Sequence, residues 1–317
     1  MAVAREHTVS TIRRQAEDYL AMRRALGFKL TTFGQKLLSF VDYLDARDMD
    51  VLTTDAAVAW AMATPRSSDE VHWSRRLMVV RIFARHLAVL EPATEVPPVD
   101  LLPHHYRRIT PHLYTPCEIT ALLHVADALL PELRALTWRT LISLLAVTGM
   151  RTGEACRLDR ADVDLHDGLL TVRDTKFGKH RQVPVHSSTV EALNSYGQAR
   201  DRLLATPATA AWFVSTRGTR LDQANLPHTF AHLVEAAGIQ VPARQRRPRL
   251  HDLRHSFATA TLLGWYRDGV DVQARLPWLS TYLGHVDPKS TYWYLSGSPE
   301  LLALAAARLE HAFGEQP

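Results

Sequence analysis

The stretch that decides the fold of this chain reads His-Asp-Leu-Arg-His at 251–255, Tyr-Leu-Gly-His at 282–285 and Ser-Thr-Tyr-Trp-Tyr at 290–294. It places imidazoles, a guanidinium and phenol hydroxyls within a short length of chain. A phosphoryl group in transfer gains negative charge on its non-bridging oxygens, and fixed cationic donors stabilise that charge. A tyrosine oxygen becomes a covalent nucleophile once its proton has an acceptor. The three motifs therefore indicate attack by a tyrosine on a phosphodiester.

Two motifs further upstream supply other residue types that such a reaction needs. Thr-Gly-Met-Arg-Thr-Gly-Glu at 148–154 places Arg151 just after a glycine that ends a predicted helix, with Glu154 one turn further on. Thr-Lys-Phe-Gly-Lys-His-Arg at 175–181 lies between two predicted strands. A lysine in such a turn is able to reach a reacting phosphate as a proton donor.

In this order, the motifs resemble the catalytic motifs of the tyrosine site-specific recombinases, which include the phage integrases and the Xer-type enzymes. A single His-x-x-Arg motif occurs by chance in many proteins, whereas the ordered set is specific. The resemblance implies a site-specific recombinase that cuts and rejoins DNA strands through a 3′-phosphotyrosyl intermediate. The catalytic residues that it implies are Arg151, Lys176, His251, Arg254, His285 and the nucleophile Tyr294, with Glu154 in support.

Two of these positions have a neighbouring alternative. In the resembled family the nucleophile follows the histidine of Leu-Gly-His by nine residues, and this spacing from His285 favours Tyr294 over Tyr292. Alignment with the family favours Lys176 as the proton donor to the leaving 5′ oxygen. Lys179 is the alternative, although a solvated side chain or a contact to a flanking phosphate is its more usual role.

The resemblance also implies a division of roles among the other residues. Arg151 and Arg254 would hold the non-bridging oxygens of the scissile phosphate, and His285 would donate a further hydrogen bond to it. His251 would assist proton transfer at the tyrosine. Because a phosphotyrosyl bond conserves the energy of the diester, the reaction requires no ATP, and we expect no cofactor.

A metal site is an alternative interpretation of the histidines. His251 and His255 stand four residues apart, a spacing that suits two ligands on one helix face. The sequence places no third ligand beside them, and Arg254 would oppose a cation. No carboxylate cluster for a pair of magnesium ions is evident either. We therefore expect no metal, and a structural role for His255.

Length and composition suit a globular protein of about two domains. The 317 residues are 46% hydrophobic, with no apolar run long enough for a membrane span and no apolar signal-peptide core at the start. The two cysteines, Cys117 and Cys156, do not make a disulfide framework. The basic residues are 32 arginines and five lysines, which suits phosphate contact but is also what a GC-rich genome produces. We expect a cytoplasmic, nucleoid-associated protein without a membrane partner.

The predicted fold class is mainly α with a small β-sheet, an α+β arrangement in two domains. Residues 1–100 show helical spacing in four segments and resemble, at the level of pattern, the N-terminal core-binding (SAM-like) domain of the family. Residues 101–114 are a basic, proline-containing linker. Residues 115–317 are predicted to form the catalytic tyrosine recombinase domain.

The second domain contains recognisable start and stop signals. Thr115 is followed three residues later by Glu118, which predicts a capping box at the start of a helix. A later helix is expected to end at Gly149. Strands are predicted over 169–173 and 181–186 because β-branched residues flank a turn there.

Two further segments of the second domain have predicted structures. The chain between the His-x-x-Arg and Leu-Gly-His motifs is longer than in compact members of the family, and we predict that residues 265–278 form a longer loop between two helices. Residues 299–313 have the spacing of an amphipathic helix. Its simplest role is to pack on its own domain, and docking on a neighbouring subunit, as the resemblance implies, is the alternative.

The resemblance implies that the two domains form a C-shaped clamp on double-stranded DNA with paired inverted half-sites. It implies a homo-tetramer on DNA, a monomer or dimer without DNA, and a sister recombinase as a further candidate partner. Basic side chains would bind phosphates and position the chain, although a solvated face is the alternative for each. The predicted DNA-binding residues are Arg75, Arg76, Arg107, Arg108, Lys179, Arg181, Arg244, Arg246 and Arg247.

Three other functions share part of this signal. A topoisomerase of type IB has similar chemistry, but it would act as a monomer and relax any supercoiled plasmid. A non-catalytic DNA-binding protein on the same fold would be expected to lack one of the polar residues, and none is missing from the motifs. A metal-dependent nuclease would cut without a covalent intermediate and would be inhibited by EDTA.

Overall fold

The computed structural model describes residues 10–63, 70–102, 110–173, 180–204, 209–241, 246–285, 289–296, 300–304 and 306. Within these ranges the chain is mainly helical with one small β-sheet, so the predicted fold class is confirmed. The chain divides into two compact units, Met1–Arg108 and Ile109–Pro317. Among the helices described, none combines the length and the apolar character that crossing a membrane requires.

Four helices form the described part of the first unit. They are α1 (Thr11–Ala25), α2 (Thr31–Asp45), α3 (Thr54–Met62) and α4 (Glu70–Leu90). Side-chain caps start two of them: the Ser10 hydroxyl accepts a hydrogen bond from the Arg13 amide before α1, and the Thr53 hydroxyl accepts one from the Ala56 amide before α3. Each cap satisfies an amide that has no partner within its own helix.

Aromatic side chains from all four helices meet in the core of the first unit. Phe40 of α2 packs edge-on against Trp60 of α3, with 5.3 Å between the ring centroids. Tyr19 of α1 packs against Phe83 of α4, with 5.6 Å between the centroids. Phe40 and Phe83 are fully buried. Such pairs combine a large buried area with a preferred ring geometry, which fixes how the helices pack.

Arg81 of α4 attaches the segment after α4 to the first unit. Its buried guanidinium donates hydrogen bonds to the carbonyl oxygens of Pro97 (2.7 Å), Pro98 (2.6 Å) and Val99 (3.2 Å). A segment that lacks secondary structure leaves carbonyls without partners, and this guanidinium satisfies three of them. These three residues therefore pack on the first unit.

The helices of the second unit begin and end at residues with a clear local cause. They are α5 (Pro116–Asp127), α6 (Glu132–Thr148), α7 (Thr152–Arg157), α8 (Ser187–Leu203), α9 (Leu226–Ala236), α10 (Asp252–Arg267), α11 (Val272–Leu283) and α12 (Lys289–Ser296). The capping box predicted before α5 is confirmed, since Thr115 and Glu118 each accept a hydrogen bond from the other's amide. As predicted, α6 ends at Gly149, which has a left-handed φ of +60°.

The sheet lies in the second unit and has three antiparallel strands. These are β1 (Val163–Asp164), β2 (Leu169–Val172) and β3 (Arg181–Pro184), in that order across the sheet. The sequence predicts β2 and β3, whereas β1 is too short to show a pattern. Leu170 pairs with Val183 and Val172 with Arg181, and the three apolar side chains are buried. Arg181 therefore opens β3 directly beside the core.

Helix α10 joins two hydrophobic cores of the second unit. Leu253, in its first turn, is buried in the larger core together with Leu141 and Leu145 of α6. Ala258 and Leu262, further along α10, are buried in a separate cluster with α11 and α12. The first turn of α10 is thus held between helices on both sides, and this turn carries the His-x-x-Arg motif.

The prediction that residues 265–278 form a loop is wrong, because α10 and α11 occupy most of this segment. Only residues 268–271 lie between the two helices. Asp271 caps α11, since its carboxylate accepts hydrogen bonds from the amides of Gln273 (2.9 Å) and Ala274 (3.2 Å). The added length between the two motifs is therefore ordered helix.

The spacing of apolar residues explains why α11 forms although the segment contains residues that usually interrupt helices. Gly269 and Pro277 suggest a loop when the sequence is read locally. Four buried residues nevertheless recur at helical spacing: Val272, Leu276, Leu279 and Leu283. Burial of this face against α10 and α12 outweighs the loss of one backbone donor at the proline.

Helix α11 ends at Gly284, where both backbone conformation and space require glycine. Its φ is +70°, in the left-handed region that other residues rarely adopt. A Cβ added there would lie 2.7 Å from Nη1 of Arg181, closer than real contacts allow. The turn that carries His285 therefore packs directly on the first residue of β3.

We expect Gly284→Ala to destabilise the chain more than Gly238→Ala. Both glycines have a positive φ, so each substitution carries left-handed strain of about 1–2 kcal/mol. Nothing lies within 4 Å of a Cβ at Gly238, whereas at Gly284 the methyl group must also displace a paired guanidinium. Chemical denaturation of the two full-length variants measures the difference. Equal losses of unfolding free energy would contradict the close packing of Arg181 on this turn.

Candidate active site

Four helices bring five of the predicted catalytic side chains into one region of the second unit. Arg151 precedes α7, His251 precedes α10, Arg254 lies in the first turn of α10, His285 follows α11, and Tyr294 lies on α12. Most of these positions are helix ends, where backbone carbonyls and amides lack partners within the helix. Side chains placed there are able to bind the backbone of a neighbouring element.

Arg254 is the most enclosed of these residues, with 2% of its surface exposed. Its Nη1 donates to the Gly149 carbonyl at the end of α6, and its Nη2 donates to the Leu283 carbonyl at the end of α11, both over 2.9 Å. Nη2 also contacts Nε2 of His285 at 2.8 Å. A guanidinium has five N–H donors, so these contacts do not exhaust its capacity for a ligand.

His285 is held as a neutral imidazole of defined tautomer. Because a guanidinium can only donate, Nε2 of His285 accepts from Arg254, and the proton of the ring is on Nδ1. Nδ1 then donates to the hydroxyl of Thr291, 2.7 Å away. Burial first, and then the charges of Arg254, Arg151 and Arg181, lower the pKa of His285 to about 4. The ring is therefore uncharged at neutral pH.

Thr291 is a residue of this site that the sequence analysis missed. It is buried on α12, one turn before Tyr294, and its hydroxyl binds His285. Residues three apart lie on the same face of a helix, so Thr291 and Tyr294 face the same side. That spacing was visible in the sequence, but a threonine at this distance has no recognisable motif.

Arg151 binds the same turn as Arg254, at the next carbonyl along the chain. Its Nη2 donates to the carbonyl of Gly284 at 3.1 Å, and its Nη1 donates to Oε1 of Glu154 at 2.7 Å. The Glu154 carboxylate also accepts from the Arg151 amide. The side chain of Arg151 remains 38% exposed. These contacts hold Arg151 against Glu154, the residue that the sequence analysis expects in a supporting role.

Glu154 also binds a second guanidinium, that of Arg181. Arg181 donates from Nη1 to Oε1 of Glu154 at 3.1 Å and from Nη2 to Oε2 at 2.7 Å. Glu154 is 3% exposed, and this burial would raise its pKa. Hydrogen bonds and charge from Arg181 and then Arg151 outweigh the burial and hold the pKa at about 2. Glu154 is therefore ionised between two arginines.

The structure distinguishes the two candidate nucleophiles. Tyr294 is buried, and its ring lies nearly parallel to that of His285, with 6.0 Å between the centroids. Its phenol is close enough to Arg254 to raise the pKa of that guanidinium against the lowering effect of burial. Tyr292 is exposed, and its hydroxyl donates to Oε1 of Gln273 at 3.5 Å. The tyrosine favoured by spacing is thus the one beside the arginine and the histidine.

His255 packs on the nucleophile and on its neighbour. Its ring lies 5.4 Å from that of Tyr294, 5.0 Å from that of Trp293 and 5.3 Å from that of His251. Burial first, and then His251, lower its pKa to about 4. His251 is exposed as a whole residue, but desolvation of its ring, followed by the charges of Arg254 and Arg249, also lowers its pKa. Both rings are in the neutral form at neutral pH.

The predicted DNA-binding arginines fall into different environments. Arg75, Arg246 and Arg247 are exposed. Arg76 instead lies over the ring of Trp60, 3.8 Å from its centroid, and donates to the Trp60 carbonyl. Arg181 faces Glu154 and is largely buried, so its assignment to DNA is corrected to a contact within the site. Five predicted residues lie outside the described residues: Arg107, Arg108, Lys176, Lys179 and Arg244.

The lowered pKa values of two partly buried histidines, His255 and His285, predict a loss of stability in mild acid. In the unfolded chain these imidazoles take up protons near pH 6.5, whereas His255 and His285 resist protonation down to about pH 4. The unfolded state therefore binds more protons as the pH falls, and the free energy of unfolding decreases from pH 7 towards pH 4. Denaturant titrations of the full-length chain at pH 7 and pH 5 measure this decrease.

His255→Phe retains a ring but removes the titration, so this variant should lose less stability between the two pH values. His166 is almost fully exposed, and His166→Gln provides the matched control. This control should behave like the unchanged chain. A stability that stays constant from pH 7 to pH 5 in the unchanged chain would contradict the neutral state of these rings.

Comparisons with known proteins give the family of this chain. The model of the phage integrase family matches residues 113–300. A putative integrase/recombinase of Sinorhizobium fredii, y4rB, is 42% identical to this chain, and the match covers 97% of this chain and all of the relative. The tyrosine recombinase XerD of Mycobacterium tuberculosis is 31% identical over 87% of this chain and 90% of that protein.

Solved structures of two recombinases share the fold. The site-specific recombinase XerH bound to its palindromic difH substrate has a TM-score of 0.63 and 19% identity, covering 90% of this chain and 79% of that one. A lambda integrase dimer on a core site has a TM-score of 0.60 and 18% identity, covering 89% and 94%. With a family model that matches more than half of the sequence and relatives that align along nearly all of it, this chain belongs to the phage integrase family and is a tyrosine recombinase, an enzyme of site-specific DNA recombination.

Proposed function

We propose that Tyr294 is the nucleophile of this recombinase and that it forms a 3′-phosphotyrosyl bond with one DNA strand. The phenol oxygen bonds to phosphorus, and the bond from phosphorus to the 5′ oxygen breaks. The proton that the phenol loses is balanced by the proton that the 5′ oxygen gains. Attack by a 5′-hydroxyl on the phosphotyrosyl bond reverses these changes and rejoins a strand. Since the bond energy is conserved, this sequence requires no ATP.

The observation that carries this proposal is the convergence of Arg254, His285 and Tyr294 at the end of α11. Arg254 and His285 are in hydrogen-bond contact, and the Tyr294 ring lies against His285. Arg151 binds the carbonyl of Gly284, the residue just before His285. A phosphate placed at the Tyr294 hydroxyl would meet cationic N–H donors from two directions. Donors that are already oriented stabilise the developing charge without reorganisation.

Backbone carbonyls occupy part of the donor capacity of both arginines. A phosphate oxygen is a stronger, charged acceptor, and charge-assisted hydrogen bonds are about twice as strong as neutral ones. The remaining N–H groups of Arg254 and the exposed part of Arg151 are the natural contacts for two non-bridging oxygens. Both side chains are held by backbone at the ends of helices, so they keep their positions while a ligand binds.

The histidines are suited to proton transfer because they are neutral. His251 has a pKa lowered mainly by burial, so its free base is present at neutral pH and is able to accept the phenol proton. Nε2 of His285 accepts from Arg254 in the chain as described. To donate to a phosphate, this nitrogen must take up a proton, which the phosphate charge itself favours. Lys176, which lies outside the described residues, is the proposed proton donor to the 5′ oxygen.

We further propose that the substrate is double-stranded DNA with paired inverted half-sites, bound by a homo-tetramer. The support is the likeness of fold to XerH on a palindromic site and to a lambda integrase tetramer on a Holliday junction, the latter with a TM-score of 0.61. Identical subunits related by symmetry require symmetric half-sites. An enzyme that recombines such DNA would be located in the cytoplasm, at the nucleoid. A sister recombinase is a further candidate subunit of the complex.

The exposed arginines remain the proposed phosphate contacts of this complex. They are Arg75 in the first unit and Arg246 and Arg247 shortly before α10. Such contacts position a protein on DNA without reading its sequence. Each should therefore weaken binding to all DNA when replaced, and should reduce the dependence of affinity on salt.

Tyr294→Phe should bind DNA but form no covalent adduct, because it removes the attacking oxygen and leaves the ring. The substrate is a nicked suicide DNA bearing the recombination site, selected first from random inverted repeats. Covalent adducts are detected by denaturing electrophoresis, and binding is measured separately. Tyr292→Phe is the matched control two residues away, and it should still form the adduct.

Arg254→Gln should also bind DNA, and should slow adduct formation by about 100-fold or more, as expected when a preorganised donor is lost at a charged transition state.

An adduct that persists in Tyr294→Phe and disappears in Tyr292→Phe would reassign the nucleophile. Adducts in both variants would place the nucleophile outside this helix.

A further inference from the structure

The carboxylate of Glu154 is shared by two arginines from different elements of the second unit. Arg151, at the start of α7, gives it one side-chain hydrogen bond of 2.7 Å. Arg181, at the start of β3, gives it two, of 3.1 and 2.7 Å, one to each oxygen. Arg181 therefore binds both oxygens of this nearly fully buried carboxylate. Arg151 adds its guanidinium to Oε1 and its backbone amide to Oε2.

Arg181 makes a second set of contacts, with the turn that carries His285. Its Nε donates to the carbonyl of Tyr282 at 3.0 Å, and its guanidinium lies where a Cβ of residue 284 would project. Only 12% of its side chain is exposed. Arg181 thus connects β3 both to the partner of Arg151 and to the end of α11. A side chain with all these contacts inside the protein is poorly placed to bind a DNA phosphate.

The balance of charge explains why a second arginine is needed. A buried carboxylate requires a cation, since an unpaired buried charge is strongly destabilising. If Arg151 were the only partner of Glu154, the two charges would neutralise each other, and the Arg151 guanidinium would form a bidentate ion pair with the carboxylate. With Arg181 present, two cations face one carboxylate, and a net positive charge remains for a ligand.

We infer that Arg181 is a positioning residue, which supplies the countercharge of Glu154 and so leaves Arg151 available to the scissile phosphate. This inference rests on the proposed role of Arg151 in binding that phosphate. It also assigns β3 a part in the site: the strand that follows the segment with Lys176 carries the residue that sets the charge at Arg151. Arg181 itself does not touch the DNA.

The test compares Arg181→Gln with the double variant Arg181→Gln/Glu154→Gln. Arg181→Gln leaves one cation against one carboxylate, so Arg151 is neutralised. The rate of adduct formation at saturating protein should then fall by about 100-fold, similar to the loss of one oriented donor. The double variant removes one positive and one negative charge and restores the net charge of the unchanged protein. Its rate should recover by about tenfold or more relative to Arg181→Gln, although more side-chain contacts have been lost.

Two further variants separate this role from general effects on the hairpin. Arg173, the residue directly after β2, forms an ion pair with a different buried carboxylate, that of Asp162. Arg173→Gln is the matched control and should retain the rate of the unchanged protein. Arg181→Lys keeps the positive charge but loses the bidentate hydrogen bonding of a guanidinium. Its rate of adduct formation should therefore lie between those of the unchanged protein and Arg181→Gln. This variant also provides the test if Arg181→Gln does not fold.

The outcomes distinguish this inference from the proposed function. A double variant as slow as Arg181→Gln would overturn the role of charge. Arg181→Gln with weakened DNA binding but a normal rate at saturation would instead make Arg181 a DNA contact. In both cases the unchanged protein still forms the Tyr294 adduct, so the proposed function stands. Absence of any adduct with the unchanged protein would count against the proposed function itself.

Discussion

The second unit depends on one buried guanidinium, that of Arg254, and on the two backbone carbonyls that hold it. Gly149 ends α6 and Leu283 ends α11, and both helices direct their last carbonyls at this side chain. A buried cation without such partners would be costly, so the two helix ends must stay where they are. The same constraint fixes His285, which follows directly after α11 and contacts the guanidinium. Arg254 and His285, two of the residues proposed to act on DNA, are therefore positioned by hydrogen bonds that also stabilise the fold.

A second constraint acts on charge. Arg151 and Arg181 bind a single buried carboxylate, Glu154, and Arg254 is close enough to interact with its charge. The nearby histidines are neutral because burial disfavours their charged forms. The site thus has a net positive charge that a phosphate can bind. The neutral histidines add no further cations that would repel the arginines. Each guanidinium is bonded to backbone or to Glu154, so that charge is also fixed in position. Preorganised charge of this kind is what phosphoryl transfer requires, since the protein contributes position and electrostatics more than covalent chemistry.

The sequence allowed prediction of features whose cause is local. The capping box at Thr115 and the helix end at Gly149 follow from residue types at short fixed spacing. The choice of Tyr294 over Tyr292 comes from the resemblance to the recombinase family and stays a prediction. Contacts between distant segments could not be predicted in this way. Arg151 and Gly284 are 133 residues apart, and Arg181 and Tyr282 are 101 apart. Arg181 was accordingly assigned to DNA, because a basic residue beside a turn shows no trace of its buried partner. The loop predicted over residues 265–278 was wrong for a related reason: glycine and proline marked a break locally, and burial of the α11 face decided the structure.

The most direct test of the central claim is a crystal structure of the full-length chain bound to nicked site DNA with orthovanadate at the nick. Vanadate adopts the geometry of a phosphoryl group in transfer. We expect a bond from vanadium to the hydroxyl oxygen of Tyr294, with N–H groups of Arg151 and Arg254 on the equatorial oxygens and Nε2 of His285 within hydrogen-bond distance of one of them. Vanadium bound to a different side chain, or arginines that remain directed only at backbone carbonyls while another group binds the oxygens, would contradict it.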